Sequence, residues 1–177
     1  MHKTIRELTD TLAQRGVVEW IGVRLARRAP MQPVREALLS TRDGLVGDRY
    51  AGHSGTRQVT LIQAEHLLAI ARFLGRDSAL QPEVLRRNLV VAGINLLSLK
   101  GRMIAVGDSR LEVTGLCHPC SRMEEALGPG GYNAVRGHGG LTARVLQTGR
   151  IALGDPVYLD DDPTPRTSDG PHATAQA

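Results

Sequence analysis

Apolar residues fall along this chain in short blocks, separated by glycine and charge, and most blocks are rich in β-branched side chains. Val17 to Leu25 contains Trp20, Ile21 and Val23. Gln58-Val59-Thr60-Leu61-Ile62, Leu89-Val90-Val91, Leu141 to Gln147 and Val157 to Leu159 have the same character. Blocks of this length between turn residues predict strands. Met103 to Val106 and Leu111 to Leu116 predict a hairpin across Gly107-Asp108-Ser109. Val34 to Ser40 reads as another strand, after a loop over Ala29-Pro30-Met31-Gln32-Pro33.

Helical periodicity is rarer. Thr4-Ile5-Arg6-Glu7 has the form of a capping box, Ile5, Leu8 and Leu12 share one face, and Gly16 reads as the stop. Ala64 to Leu74, ended by Gly75, predicts the longest internal helix. Shorter turns are predicted from Pro82 to Leu85, Ser121 to Leu127 and Tyr132 to Arg136. Helices do not alternate regularly with strands, so the pattern predicts a mainly β, barrel-like or sandwich domain over 17–159. An N-terminal helix within 1–16 precedes it. From Asp160 to Ala177 the chain turns polar and is expected to be a disordered tail.

Composition narrows the partners. The chain has 22 basic and 18 acidic residues, a net charge of +4, which favours an anionic ligand. Only one Trp, three Tyr and one Phe are available to stack on bases, and no dense Lys/Arg block occurs, so nucleic acid is disfavoured. No stretch approaches the ~20 apolar residues that span a bilayer, so no membrane partner is expected. Two cysteines and no export signal predict a reducing, cytoplasmic setting.

Those two cysteines carry the chemistry. Cys117-His118-Pro119-Cys120 lies between a predicted strand and a predicted helix. Pro119 suits a first helical position, which would put Cys120 in the first turn, where free N–H groups favour a thiolate. A thiolate there can act as a nucleophile, a sulfur carrier or a soft metal ligand. Cys117, at a strand end, reads as a small buried hydrophobe. A thioredoxin-like dithiol lacks the βαβ context it needs. Zinc would need nitrogen ligands from His53, His66, His118 or His138, none of which shows finger spacing. The glycine-dense segment 128–140 lacks the ending of a P-loop but can present backbone N–H groups to an anion. Arg57, Arg86, Arg87 and Arg144 border predicted loops or strand ends, and with Cys120 they could hold a phosphorylated cofactor. Asn88 adds an amide that donates and accepts.

In their order these segments resemble the MOSC domain, named for the C-terminus of molybdenum-cofactor sulfurases. The likeness rests on Gly44-Leu45-Val46-Gly47-Asp48-Arg49, Arg57 to Ile62, Arg87 to Ile94, Pro119-Cys120, Gly139 to Leu146 and Gly154-Asp155-Pro156-Val157. The resemblance implies a β-rich barrel-like fold and one key cysteine, matching Cys120. It implies molybdenum cofactor (molybdopterin), with Cys120 as metal ligand, and Arg57, Arg86, Arg87, Asn88, His138 and Arg144 as cofactor-binding candidates; pyridoxal phosphate is not expected. It also implies reduction of a small N-hydroxylated substrate with electrons from a separate reductase. A Cys120 persulfide carrier and a non-catalytic cofactor-storage protein are the alternatives.

Overall fold

The computed structural model describes residues 2–49 and 54–160. It contains strands β1 (Gly16–Arg24), β2 (Met31–Val34), β3 (Glu36–Ser40), β4 (Gly44–Leu45), β5 (Val59–Gln63), β6 (Leu89–Ala92), β7 (Met103–Val106), β8 (Ser109–Leu116), β9 (Leu141–Gln147), β10 (Gly149–Ala152) and β11 (Pro156–Leu159). Helices are short: α1 (Ile5–Thr9), α2 (Ala64–Phe73), α3 (Pro82–Leu85), α4 (Ser121–Leu127) and α5 (Gly131–Val135), with a 3₁₀ turn at Leu96–Leu99.

Seven strands close into a barrel in the order β1-β11-β7-β8-β9-β5-β6, back to β1. The ring closes where Gly16 and Val17 pair with Val157 and Pro156. β2 extends β1 outside the ring, and β10-β3-β4 form a separate three-stranded sheet. The fold is mainly β, as the sequence pattern predicts. No helix among the described residues is long and apolar enough to cross a membrane.

Among the described residues β5 and β6 are the one parallel pair in the barrel, and the segment between them holds α2 and α3. Their residues alternate between two cores. Leu61, Leu89 and Val91 fill the barrel with Val18, Leu111, Val113 and Leu141. Ile62 and Val90 face outward onto Leu67 and Ile70 of α2, Leu85 of α3, Met123 and Leu127 of α4, and Val135 of α5. A wall buried on both faces is apolar at most positions, so these strands read as near-continuous runs, with Thr60 a buried polar exception. The same outer core seats α4, the helix that follows the cysteines.

Several expected boundaries move. α1 has its capping box, with Glu7 N–H donating to Thr4 and Glu7 accepting from Thr4 N–H. It stops at Thr9 because every residue in it is exposed, and Gly16 opens β1 instead of ending a helix. The expected loop 29–33 contains most of β2, and Arg35 divides the expected strand 34–40 into β2 and β3. The 103–116 hairpin turns on Gly107 and Asp108 alone, since Ser109 already pairs with Val106. Asp160, where the tail was expected to start, is buried; its N–H donates to Met103 O and its carboxylate binds Arg110 at 3.0 and 3.1 Å. Residues 161–177 and His53 lie outside the described residues.

Candidate functional site

The cysteine segment leaves the end of β8 and is tied down at once: Cys117 N–H donates to Gly140 O at 2.8 Å. Cys117 is buried and Cys120 is exposed, and they are not bonded to each other. Cys120 is the N-cap of α4, with extended dihedrals (φ −129°, ψ 175°), and Pro119 lies outside the helix. This corrects the expected placement of Cys120 within the first turn. Its carbonyl accepts from Met123 N–H, and its side chain makes no capping hydrogen bond. Cys120 is distinguished from Cys117 by access to solvent.

Arg86 and Arg87 are adjacent in sequence and serve different places. Arg86 ends α3 in a left-handed conformation (φ 57°), which side chains larger than glycine adopt only where packing fixes them. Its Nη1 donates to Ala29 O at 2.8 Å. It lines a hollow of about 210 Å³ with Arg24, Ala26, Arg27, Arg28, Arg49 and Arg122. Burial, then the charges of Arg122 and Arg24, push the Arg86 guanidinium below its ordinary value. The lining contains no acidic residue. Asp48 is committed to Arg24 at 2.6 Å, and Glu83 and Glu125 line an adjoining hollow that shares Arg86 and Arg122. A hollow lined by six guanidinium groups, of which Arg24 is paired with a carboxylate outside the lining, suits a phosphate.

Arg87 turns the other way, under the cysteine segment. It is 7% exposed. Its Nε donates to Gly139 O at 2.7 Å and its Nη1 to Leu85 O at 2.6 Å. Nη2 is buried and has no partner. Burial pushes this guanidinium below its ordinary value, while Cys117 and then Cys120 act in the opposite direction. A buried cation held only by carbonyls, with one donor unused, is costly unless an anion completes it. Gly139 is glycine for a steric reason: a Cβ there would collide with Cys117 O and stand 3.4 Å from Arg87 Nη2.

A family model described as "MOSC domain" matches residues 18–158. The chain belongs to the MOSC domain family. No curated protein is significantly similar in sequence. Among solved structures this MOSC protein is similar to the YuaD protein from Bacillus subtilis, at 19% identity and TM-score 0.71, over 83% of this chain and 97% of that one. It is also similar to YiiM from Geobacillus stearothermophilus, at 19% identity and TM-score 0.67, over 82% and 75%. YiiM from Escherichia coli follows at 21% identity and TM-score 0.63, over 88% and 72%. At these identities the likeness concerns the fold.

Of the expected site residues, Arg86 lines the arginine hollow, Arg87 lies near the cysteine segment, and Cys120 is exposed at the start of α4. Asn88 is fully buried; its Oδ1 accepts from Thr60 N–H and Oγ1, and its Nδ2 donates to Gly22 O. It ties β1, β5 and the start of β6 together. His138 packs against α2, its ring 4.7 Å from His66 and 5.2 Å from Phe73. Arg144 pairs with Glu112 on the neighbouring strand at 3.6 Å. Neither His138 nor Arg144 lines the arginine hollow. Arg57 lines a separate hollow with Lys100, Thr114 and His118. Among the described residues no group of three His, Cys, Asp or Glu is placed to hold a metal.

The sequence reading missed Arg24, Arg27, Arg28, Arg49 and Arg122. A signal was present in Gly47-Asp48-Arg49. Asp48 accepts from the Arg24 backbone N–H at 2.6 Å and Arg49 N–H donates to Arg24 O at 2.7 Å, so this short motif docks on the end of β1 and carries Arg49 into the hollow.

Proposed function

We propose that this MOSC protein binds molybdenum cofactor and reduces N-hydroxylated compounds, with Cys120 as the molybdenum ligand. The family is known for binding this cofactor. The observation that carries the reading is the arginine hollow, whose lining includes Arg122, two residues after the exposed Cys120 on α4. The residues present suit the group. Arg24, Arg27, Arg28, Arg49, Arg86 and Arg122 would hold the pterin phosphate, and the exposed Cys120 thiolate is a soft ligand of the kind molybdenum takes. The unused Arg87 Nη2 is a buried donor for negative charge beside the cysteine segment.

Bound there, the cofactor would supply a two-electron redox centre. The net reaction breaks the N–O bond of R–NHOH, consumes two electrons and two protons, and yields R–NH₂ and water. The chain has no flavin or iron–sulfur motif, so the electrons come from a separate reductase. This chain's own residues bind the phosphate, present the thiolate and hold an anion-favouring field around it.

A persulfide on Cys120 is the second reading, favoured by the exposure of that thiol. It gives the arginine hollow no role. Production in a host that makes molybdenum cofactor, with molybdenum and pterin measured per chain and turnover followed with an artificial electron donor, separates the two. Bound cofactor with turnover supports the reductase; cofactor with stoichiometric release and no turnover marks a storage protein. Metal-free protein bearing cyanide-labile sulfur overturns the cofactor reading.

A further inference from the structure

A second cavity, of about 310 Å³, is lined by the cysteine segment up to Pro119, the residue before Cys120. Leu116, Cys117, His118 and Pro119 form one wall, Gly139 and Gly140 the floor, and Tyr132 and Arg136 the α5 side. The volume is at the lower end of the range for small-molecule sites, about 300–1,000 Å³, enough for one ring and its substituents. No lining residue is acidic. Arg136 is exposed, and among the described residues its only side-chain partner is the neutral Asn133, at 3.3 Å. Behind the floor stands Arg87, more than nine-tenths buried, whose Nη2 has no partner and lies 3.4 Å from where a Cβ on Gly139 would stand. At Leu116 and His118 the cavity meets the hollow of Arg57 and Lys100, whose lining also lacks an acid.

We infer that this cavity is the substrate pocket and that it selects negatively charged N-hydroxylated compounds, with Tyr132 against the ring and Arg136 receiving the anionic substituent. The inference rests on the reductase reading for its substrate chemistry. The charge selection comes from the cavity alone. A cationic amidine or guanidine finds only like charge here. A neutral compound gains the ring contact and leaves Arg136 without an anion. A carboxylate or phosphate on the ring meets an unpaired guanidinium at the mouth and the field of Arg87 beneath the floor. Arg136 thus sets specificity and stays outside the bond-breaking chemistry.

The test compares 4-(hydroxyamino)benzoate with neutral N-phenylhydroxylamine, using calorimetric binding to the purified full chain and turnover of the cofactor-loaded protein. The carboxylated compound should bind at least about tenfold more tightly, consistent with a charge-assisted contact. That advantage should shrink with added salt, disappear in Arg136→Gln and return in Arg136→Lys. Because Arg136 is exposed, the variants should fold, and unchanged melting confirms it. Equal binding of the two compounds, or a preference that survives Arg136→Gln, overturns the inference even if both are reduced. A preference dependent on Arg136, without turnover of either compound, upholds the pocket and sinks the reductase reading.

Discussion

Asp48 grips Arg24 with both carboxylate oxygens, at 3.0 Å to Nε and 2.6 Å to Nη2, and also accepts from the Arg24 backbone N–H. The Asp48 side chain is fully buried and that of Arg24 is 24% exposed. This pair holds the loop bearing Arg49 against the end of β1. Asp48→Ala should therefore cost roughly 3 kcal/mol, the lower end for breaking a buried pair, since Arg24 keeps some contact with water. Urea melts would measure it, and cofactor occupancy should fall in the same variant. An unchanged midpoint would show that the loop is held by other contacts.

The arginines should divide into two groups by location. Arg49→Ala and Arg122→Ala remove charges lining the hollow. Each should lower cofactor affinity about tenfold to a hundredfold, from roughly 1.5–3 kcal/mol per charge-assisted contact, with turnover per bound molybdenum retained. Arg144→Ala removes a cation paired with Glu112 on the barrel wall and should leave occupancy unchanged. Molybdenum per chain reads all three. Equal loss in Arg144→Ala would place the phosphate elsewhere.

Thiol labelling should follow exposure. Limiting iodoacetamide at neutral pH, read by peptide mass spectrometry on cofactor-free protein, should modify Cys120 well before Cys117, which is 6% exposed. Cys120→Ser should abolish metal loading while the melting temperature stays near that of the parent, because the exposed side chain supports no hydrogen bond of the helix cap. Early labelling of Cys117 would contradict the packing of the segment.

His66 gives the fold a pH dependence of known sign. Burial, and then the charge of His138, hold its folded value below the ordinary 6.5. The unfolded chain therefore binds the proton first. This contribution to stability is full above about 6.5, and it is lost as pH falls from there through the lower folded value. Melts between pH 7.5 and 5 should show the decline, and His66→Gln should flatten it. A decline of the same slope in His66→Gln would assign it to other groups.

Much of the barrel was legible in the sequence because β5, β6, β8 and β9 each carry an unbroken or alternating apolar signature. β2 and β10 were not. β2 contains Pro33 and lies outside the ring, where a lost donor is tolerated. β10 is short and half exposed, with Arg150 paired to Glu36 across the small sheet. Closure of the ring was equally hidden, since nothing local to Gly16 marks Val157 as its partner. At the site, Cys120 stood out by composition and Arg86-Arg87 by adjacency. That their side chains diverge depends on one left-handed residue, and the arginine hollow draws from four separate stretches of chain. His138 lies in a glycine loop that resembles an anion cradle in sequence, yet its ring packs against α2.

The pairing of Gly16 with Val157 imposes an order on synthesis. The first barrel strand waits beside an unfilled gap until nearly the whole domain has left the ribosome. At about 5–20 residues per second, the 141 positions from Gly16 to Pro156 take roughly 7–28 s to emerge. Throughout that interval β1 has one free edge, and a barrel interior made of Val, Leu and Ile faces solvent or a chaperone. The hollow that collects Arg24 from β1 and Arg122 from α4 is assembled only across this span. The walls of that hollow thus come together only once α4, 97 positions and more beyond β1, has emerged to meet it.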